Sequence, residues 1–261
     1  MEQKLPEIDP ALVAGEIVHK TQSEGPPFDL QKCLSFLGGV RIVQESLTGT
    51  GYLLELGDER AEILVNRRAP NARQRFTAAH EIGHLILQRL ARNETPHLKS
   101  HSSSKSEIER WCEKFAVSLL MPEPWMTRWV PSIADAGNPK VLFLGPERFG
   151  VSKEAFYLRL NDLFGILVAE RFIRGSDVTL RLFPRKWEFP DAVEIALGVG
   201  KKRLGDQTWG GARGGISGGP FPVTINRRRV SIVFVLRGRA DAGTHVNAKL
   251  SKFSNRGKTN I

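Results

Sequence analysis

Apolar residues early in the chain recur first at helical spacing and then at strand spacing. Leu12 and Val13, then Ile17 and Val18, recur at helical spacing between Pro10 and Thr21, which predicts a first helix. Pro26-Pro27-Phe28-Asp29 reads as a turn, with Asp29 as the N-cap of a second helix that runs to about Leu37 and stops at Gly38-Gly39. Val40-Arg-Ile-Val-Gln, Gly51-Tyr-Leu-Leu-Glu-Leu and Ala61-Glu-Ile-Leu-Val-Asn are short β-type runs separated by turn residues, and they predict a small antiparallel sheet. After Pro70 the pattern turns helical from about Arg75 to Ala91. A polar stretch from Arg92 to Ser106 leads to another helix, from about Ser106 to Leu120, stopped by Pro122 and Pro124.

Ser152 to Phe164 predicts one more amphipathic helix, with Ser152 as N-cap and Phe156, Leu160 and Leu163 inward. It reads as a packing helix rather than a DNA-recognition helix, because no second helix of suitable length precedes it. Beyond it, Val178 to Phe183, Phe221 to Ile225 and Val230 to Leu236 predict short strands. Seven glycines fall from Gly205 to Gly219, Gly210-Gly-Ala-Arg213-Gly-Gly among them predicts a mobile loop, and the polar, basic tail from Ser251 predicts disorder. The fold class expected is therefore α+β: a small antiparallel sheet packed on helices, then a Gly-rich C-terminal region with short strands.

Composition adds a division of labour. The 261 residues carry 38 Lys+Arg against 28 Asp+Glu, a formal net charge of +10. Residues 1–165 hold 20 basic and 21 acidic side chains, so residues 166–261 hold the remaining 18 and 7, a net of +11. Two regions are thus expected, 1–165 and 166–261, with nucleic-acid contact an expectation for the second alone. Its densest basic runs are Lys201-Lys202-Arg203 and Arg227-Arg228-Arg229, with Trp187, Trp209 and Phe221 as aromatic residues that could stack bases. No apolar run approaches the roughly 18 residues of a membrane span. The first residues lack a signal-peptide layout, and two cysteines, Cys33 and Cys112, are too few for a disulfide framework, so a cytoplasmic setting is expected.

The chemistry gathers at His80-Glu81-Ile82-Gly83-His84. Residues four apart on a helix stand one turn above each other, so both imidazoles can share one metal ion. Zn²⁺ favours imidazole and carboxylate ligands, and a catalytic site keeps one position open for water. Glu81, beside His80 around the helix, is placed to act as general base on that water.

A third ligand is needed. Leu87 and Leu90 stand where a metzincin carries Gly and His, which excludes that extension. The helix after the polar stretch offers Glu109, within about 20° of Ala116 on an apolar face formed by Cys112, Phe115, Ala116 and Leu119. A carboxylate turned toward an apolar interface is costly unless a cation meets it. Glu109 is the ligand expected, with Glu113, about 40° further toward solvent, as the alternative. His97 and His101, in the polar stretch, could also reach, although exposed loop histidines are the simpler reading.

Two blocks carry a resemblance. Arg75-Phe76-Thr77-Ala78-Ala79-His80-Glu81-Ile82-Gly83-His84, followed by Glu109-Arg-Trp-Cys112-Glu-Lys-Phe115-Ala116-Val-Ser-Leu119-Leu120-Met121-Pro122, resembles the ImmA/IrrE family of metallopeptidases over about residues 10–165. Asn66 after an apolar strand, Phe149-Gly-Val-Ser152 and Arg159-Leu160 fit the same pattern, while Glu113 stands where members often carry Asn. The resemblance implies a gluzincin-like domain with two histidines and a glutamate on zinc, acting on a helix-turn-helix repressor in transcription regulation or stress response. The sequence thus predicts a zinc metalloendopeptidase. The alternative is a regulatory or nucleic-acid-binding protein whose zinc site is structural or sensory.

Overall fold

The computed structural model describes residues 8–57, 59–93, 105–131, 138, 140–174, 177–183, 210–212, 215–225 and 228–236. The chain divides into two compact units, Met1–Ser132 with Leu144–Leu163, and Ile133–Phe143 with Phe164–Ile261.

In the first unit, α1 (Pro10–Lys20) begins at Asp9, whose carboxylate accepts from the Ala11 N–H. This N-cap satisfies one of the donors a helix start leaves unpaired. α1 buries Ala14 and Ile17 but leaves Leu12 67% exposed, so the inward face is narrower than the apolar spacing predicts. Asp29 caps α2 (Leu30–Leu37) in the same manner, as its sequence predicts.

Three strands follow, β1 (Val40–Glu45), β2 (Gly51–Gly57) and β3 (Arg60–Asn66). They form a mixed sheet in the order β1-β3-β2, with β1 parallel to β3 and β2 antiparallel to it. The purely antiparallel sheet expected from the sequence is corrected on this point. β3 takes the centre because it is the most completely amphipathic strand: Ala61, Ile63 and Val65 are buried at alternate positions. Asn66 locks the β1–β2 connection to the end of β3, donating from Nδ2 to the Leu47 and Gly49 carbonyls.

The two long helices, α3 (Asn71–Asn93) and α4 (Lys105–Leu120), extend somewhat past their expected limits. α3 packs on the sheet and on α4. Arginines bind it to the surrounding backbone. Arg75 donates to the Phe28 and Gly150 carbonyls, and Arg89 to those of Leu37, Gly38 and Glu59. The Leu37 carbonyl belongs to the last turn of α2, where intrahelical donors run out. α1 packs along α4, fixed by the Trp111 indole donating to the Ile8 carbonyl and by Lys114 against Asp9 at 3.0 Å.

The prolines that end α4 also start α5 (Glu123–Trp129), an element missing from the sequence reading. Pro124 falls in the first turn, where its missing N–H costs nothing. The short α6 (Gly145–Phe149) precedes α7 (Lys153–Phe164), whose first turn is capped by Ser152 Oγ accepting from Ala155 N–H, as expected. Phe156, Tyr157 and Leu160 are buried on α7, and Arg159 donates to the Met121 carbonyl from 3.2 Å.

The second unit contains a five-stranded sheet in the order β5-β4-β8-β7-β6. Its strands are β4 (Ile166–Arg174), β5 (Asp177–Phe183), β6 (Gly210–Ala212), β7 (Gly215–Ile225) and β8 (Arg228–Leu236). β4 and β8 run parallel, and the other neighbours pair antiparallel. The predicted strands near Val178, Phe221 and Val230 appear as β5, β7 and β8. The loop read from the glycines is corrected in part, because β6 and the start of β7 pair as a hairpin there. Glycine supplies no side chain to the alternation a strand is recognised by. The tail from Ser251, Lys201 to Arg203, Trp187, Trp209 and Arg227 lie outside the described residues.

One helical glycine controls the packing of α3 on α4. A Cβ on Gly83 would stand 3.2 Å from Cys112 Cα and 3.2 Å from the Phe115 ring. Gly83→Val is expected to destabilise the protein by about 1–3 kcal/mol through overpacking. Denaturant unfolding measures this, and an unchanged midpoint would refute the tight contact.

Candidate metal centre

The turn from β3 into α3 is held by Gln74, which donates to the Ala69 carbonyl at 2.8 Å and the Arg67 carbonyl at 3.3 Å. The start of β2 lies against α3, since a Cβ on Gly51 would overlap the Thr77 methyl. Ala78, Ala79, Ile82, Leu85, Ile86 and Leu87 are buried and leave α3 little freedom to rotate. His80 and His84, one turn apart, lie on either side of the Gly83 contact and meet a side chain of α4.

That side chain is Glu109. His80 Nε2 lies 3.1 Å from Glu109 Oε2, His84 Nε2 lies 3.1 Å from His80 Nε2, and His84 Nε2 lies 3.7 Å from the same carboxylate oxygen. A tetrahedral ion bonded at about 2.0–2.1 Å places its ligand atoms roughly 3.3–3.4 Å apart. The observed triangle brackets that edge length. Its protons cannot satisfy it otherwise. One proton on His80 Nε2 can go to Glu109 or to His84, not to both, while lone pairs from all three atoms crowd one volume. His80 Nδ1 is buried with no hydrogen-bond partner, so the ring makes its polar contacts through Nε2. Among the described residues, His80, His84 and Glu109 form the one group able to hold a metal ion.

The side chains of His80 and His84 are 15% and 18% exposed and that of Glu109 is 42% exposed, so the triangle opens to solvent on the α4 side. Burial holds His84 below the ordinary imidazole range, the neighbouring His80 adds to this, and Glu109 opposes it. Its neutral form, the one that ligates metal, is thereby favoured. Glu81 is half-buried next to His80; burial chiefly raises its carboxyl above the ordinary range, His80 opposes and Glu109 adds to the rise. Glu113 is exposed and outside the cluster. Of the two carboxylates weighed on this helix, the fold brings Glu109 to the histidines. His97 and His101 lie outside the described residues. Tyr157 is fully buried, and burial pushes its phenol up to about 12.

Gly83 is the residue whose part the sequence reading missed. A glycine inside a strong helical pattern was the available signal, since such a position costs about 1 kcal/mol against alanine unless close packing requires it.

Residues 38–161 match the family described as IrrE N-terminal-like domain, peptidase M78. The match supports the ImmA/IrrE family for residues 38–161, just under half of the chain. The matched span contains both histidines and both acidic residues of the site, so the ImmA/IrrE domain and the metal-compatible triangle coincide. Among solved structures, the chain is similar to a Mycobacterium tuberculosis transcriptional regulator at 17% identity and a TM-score of 0.43. That similarity covers 59% of this chain and 46% of the regulator, so the chain spans less than half of the regulator's length. No curated protein matches the chain. No helix among the described residues is long and apolar enough to cross a membrane.

Replacing Glu109 by Ala is expected to weaken metal binding by at least about 100-fold, whereas Glu113→Ala leaves it unchanged. Competition against a chromophoric chelator measures both, and the reverse order would move the third ligand to Glu113.

Proposed function

We propose that this protein is a zinc-dependent metalloendopeptidase that cuts a helix-turn-helix transcriptional repressor and so relieves repression. The observation that carries this reading is the His80–His84–Glu109 triangle with Glu81 beside it on α3, inside an M78 family domain. Two imidazoles and one carboxylate suit zinc, and the donor set leaves a position for water. Zinc held by His80, His84 and Glu109 would supply a Lewis acid that activates water and polarises the scissile carbonyl.

The protein's own groups do the rest. Glu81 takes the proton of the attacking water and later gives it to the leaving amine. Its raised pKa suits the first half of that task, since a carboxylate that binds a proton more readily is a better acceptor. His80 and His84 are held by the packed helix, so the ligand set is preorganised before substrate arrives. The repressor substrate rests on family resemblance, and a role in stress response or transcription regulation rests on it equally.

A second reading concerns the other unit. The net +11 of residues 166–261 supports contact with nucleic acid, either beside the peptidase activity or in place of it with a sensory zinc site.

Glu81→Gln is expected to keep metal at full stoichiometry and to lose cleavage by about 10²–10⁴-fold. The test captures partners on the Glu81→Gln protein, then assays wild-type cleavage of the captured protein with and without chelator. Cleavage that survives the substitution or the chelator would end the proposal. For the second reading, oligonucleotide retention is expected to fall steeply with salt and to vanish on truncation near residue 165; salt-independent retention would contradict it.

A further inference from the structure

We infer that the groove between α1 and α5 binds a small molecule with an apolar body and a single anionic end. The groove consists of two adjoining hollows, of about 580 and about 230 Å³, which share Glu24 and Trp125. The larger lies within the range of small-ligand sites. Val18 of α1 faces Pro122, Pro124 and Trp125 across it, so its walls are chiefly apolar. The smaller is lined by Trp125 and Trp129, one turn apart on α5, and by Arg128 and Arg148.

These two arginines give the groove its polarity. Both are exposed, and neither forms an ion pair or hydrogen bond among the described residues. Several arginines that reach across the first unit are engaged: Arg75, Arg89 and Arg159 with backbone carbonyls, Arg41 with Glu62 and Arg92 with Glu55. Two like charges turned into one cleft gain from an anion that accepts from both, and the guanidinium fork matches carboxylate, sulfonate or phosphate. Glu24 lines the same cleft yet pairs with neither arginine. Its carboxylate disfavours negative charge at the junction of the hollows, so a polyanion fits poorly and a ligand charged at one end fits well. The apolar body then lies against Trp125, Val18 and the prolines. Nothing in this inference depends on the peptidase reading.

Isothermal titration calorimetry on the full-length, metal-loaded protein tests it with three probes: 1-naphthalenesulfonate, 1-naphthalenemethanol and sodium sulfate. The sulfonate is expected to bind below about 1 mM and at least about tenfold more tightly than the alcohol or sulfate. Arg128→Gln combined with Arg148→Gln should weaken the sulfonate about tenfold or more and leave the alcohol unchanged. Val18→Glu should weaken both organic probes. If that variant fails to fold, the doubly substituted protein, altered only at exposed positions, decides alone. Equal affinity for sulfonate and alcohol, sulfate binding as tightly as the sulfonate, an unaltered double variant, or no sulfonate binding would each overturn the inference.

Discussion

Helices α3 and α4 approach each other across Gly83, with the backbone and side chain of Cys112 where a side chain of α3 would otherwise stand. The candidate metal centre depends on that approach. Glu109 sits one turn before Cys112 on α4 and reaches His80 at 3.1 Å. A wider separation would leave the carboxylate in solvent and the histidines with only each other. Close helix contact is a packing property, set by van der Waals surfaces within tenths of an ångström. The chemistry therefore inherits its precision from the core, whose members Phe115, Ala116 and Leu119 are fully buried next to the site.

Polar groups hold the frame at places apolar packing does not reach. Arg75 and Arg89, near opposite ends of α3, donate to loop and helix-end carbonyls. Asn66 does the same for the β1–β2 connection. These side chains restrain the helix carrying the histidines against sliding along the sheet. Residues 1–165 as a whole sum to −1. The basic excess of the chain consequently bears on the second unit and says nothing about the metal centre.

Much of this was legible in the residues, and the gaps have physical causes. The spacing of His80 and His84 specifies their common face because helical geometry is nearly invariant. Glu109 was legible for a related reason: its angle beside Ala116 turned a carboxylate toward an apolar surface. Strand pairing has no such local signature. The three strands read as a purely antiparallel sheet, yet β1 runs parallel to β3, whose alternating buried residues claim the centre. α5 was hidden by Pro122 and Pro124, which punctuate one helix and open the next. The hairpin of β6 and β7 was hidden by glycine, which leaves no side-chain pattern. Gly83 was visible as a residue, but its role needs the neighbouring helix to be in place.

An ion held by His80, His84 and Glu109 between α3 and α4 would have two imidazoles and one carboxylate as ligands, and no sulfur. X-ray absorption at the zinc edge on metal-loaded Glu81→Gln protein tests it most directly, with Cys112 close enough to make the outcome informative. Nitrogen and oxygen ligands at about 2.0–2.1 Å with the multiple scattering of two imidazoles are expected. A sulfur ligand at about 2.3 Å, or scattering from fewer than two imidazoles, would contradict this.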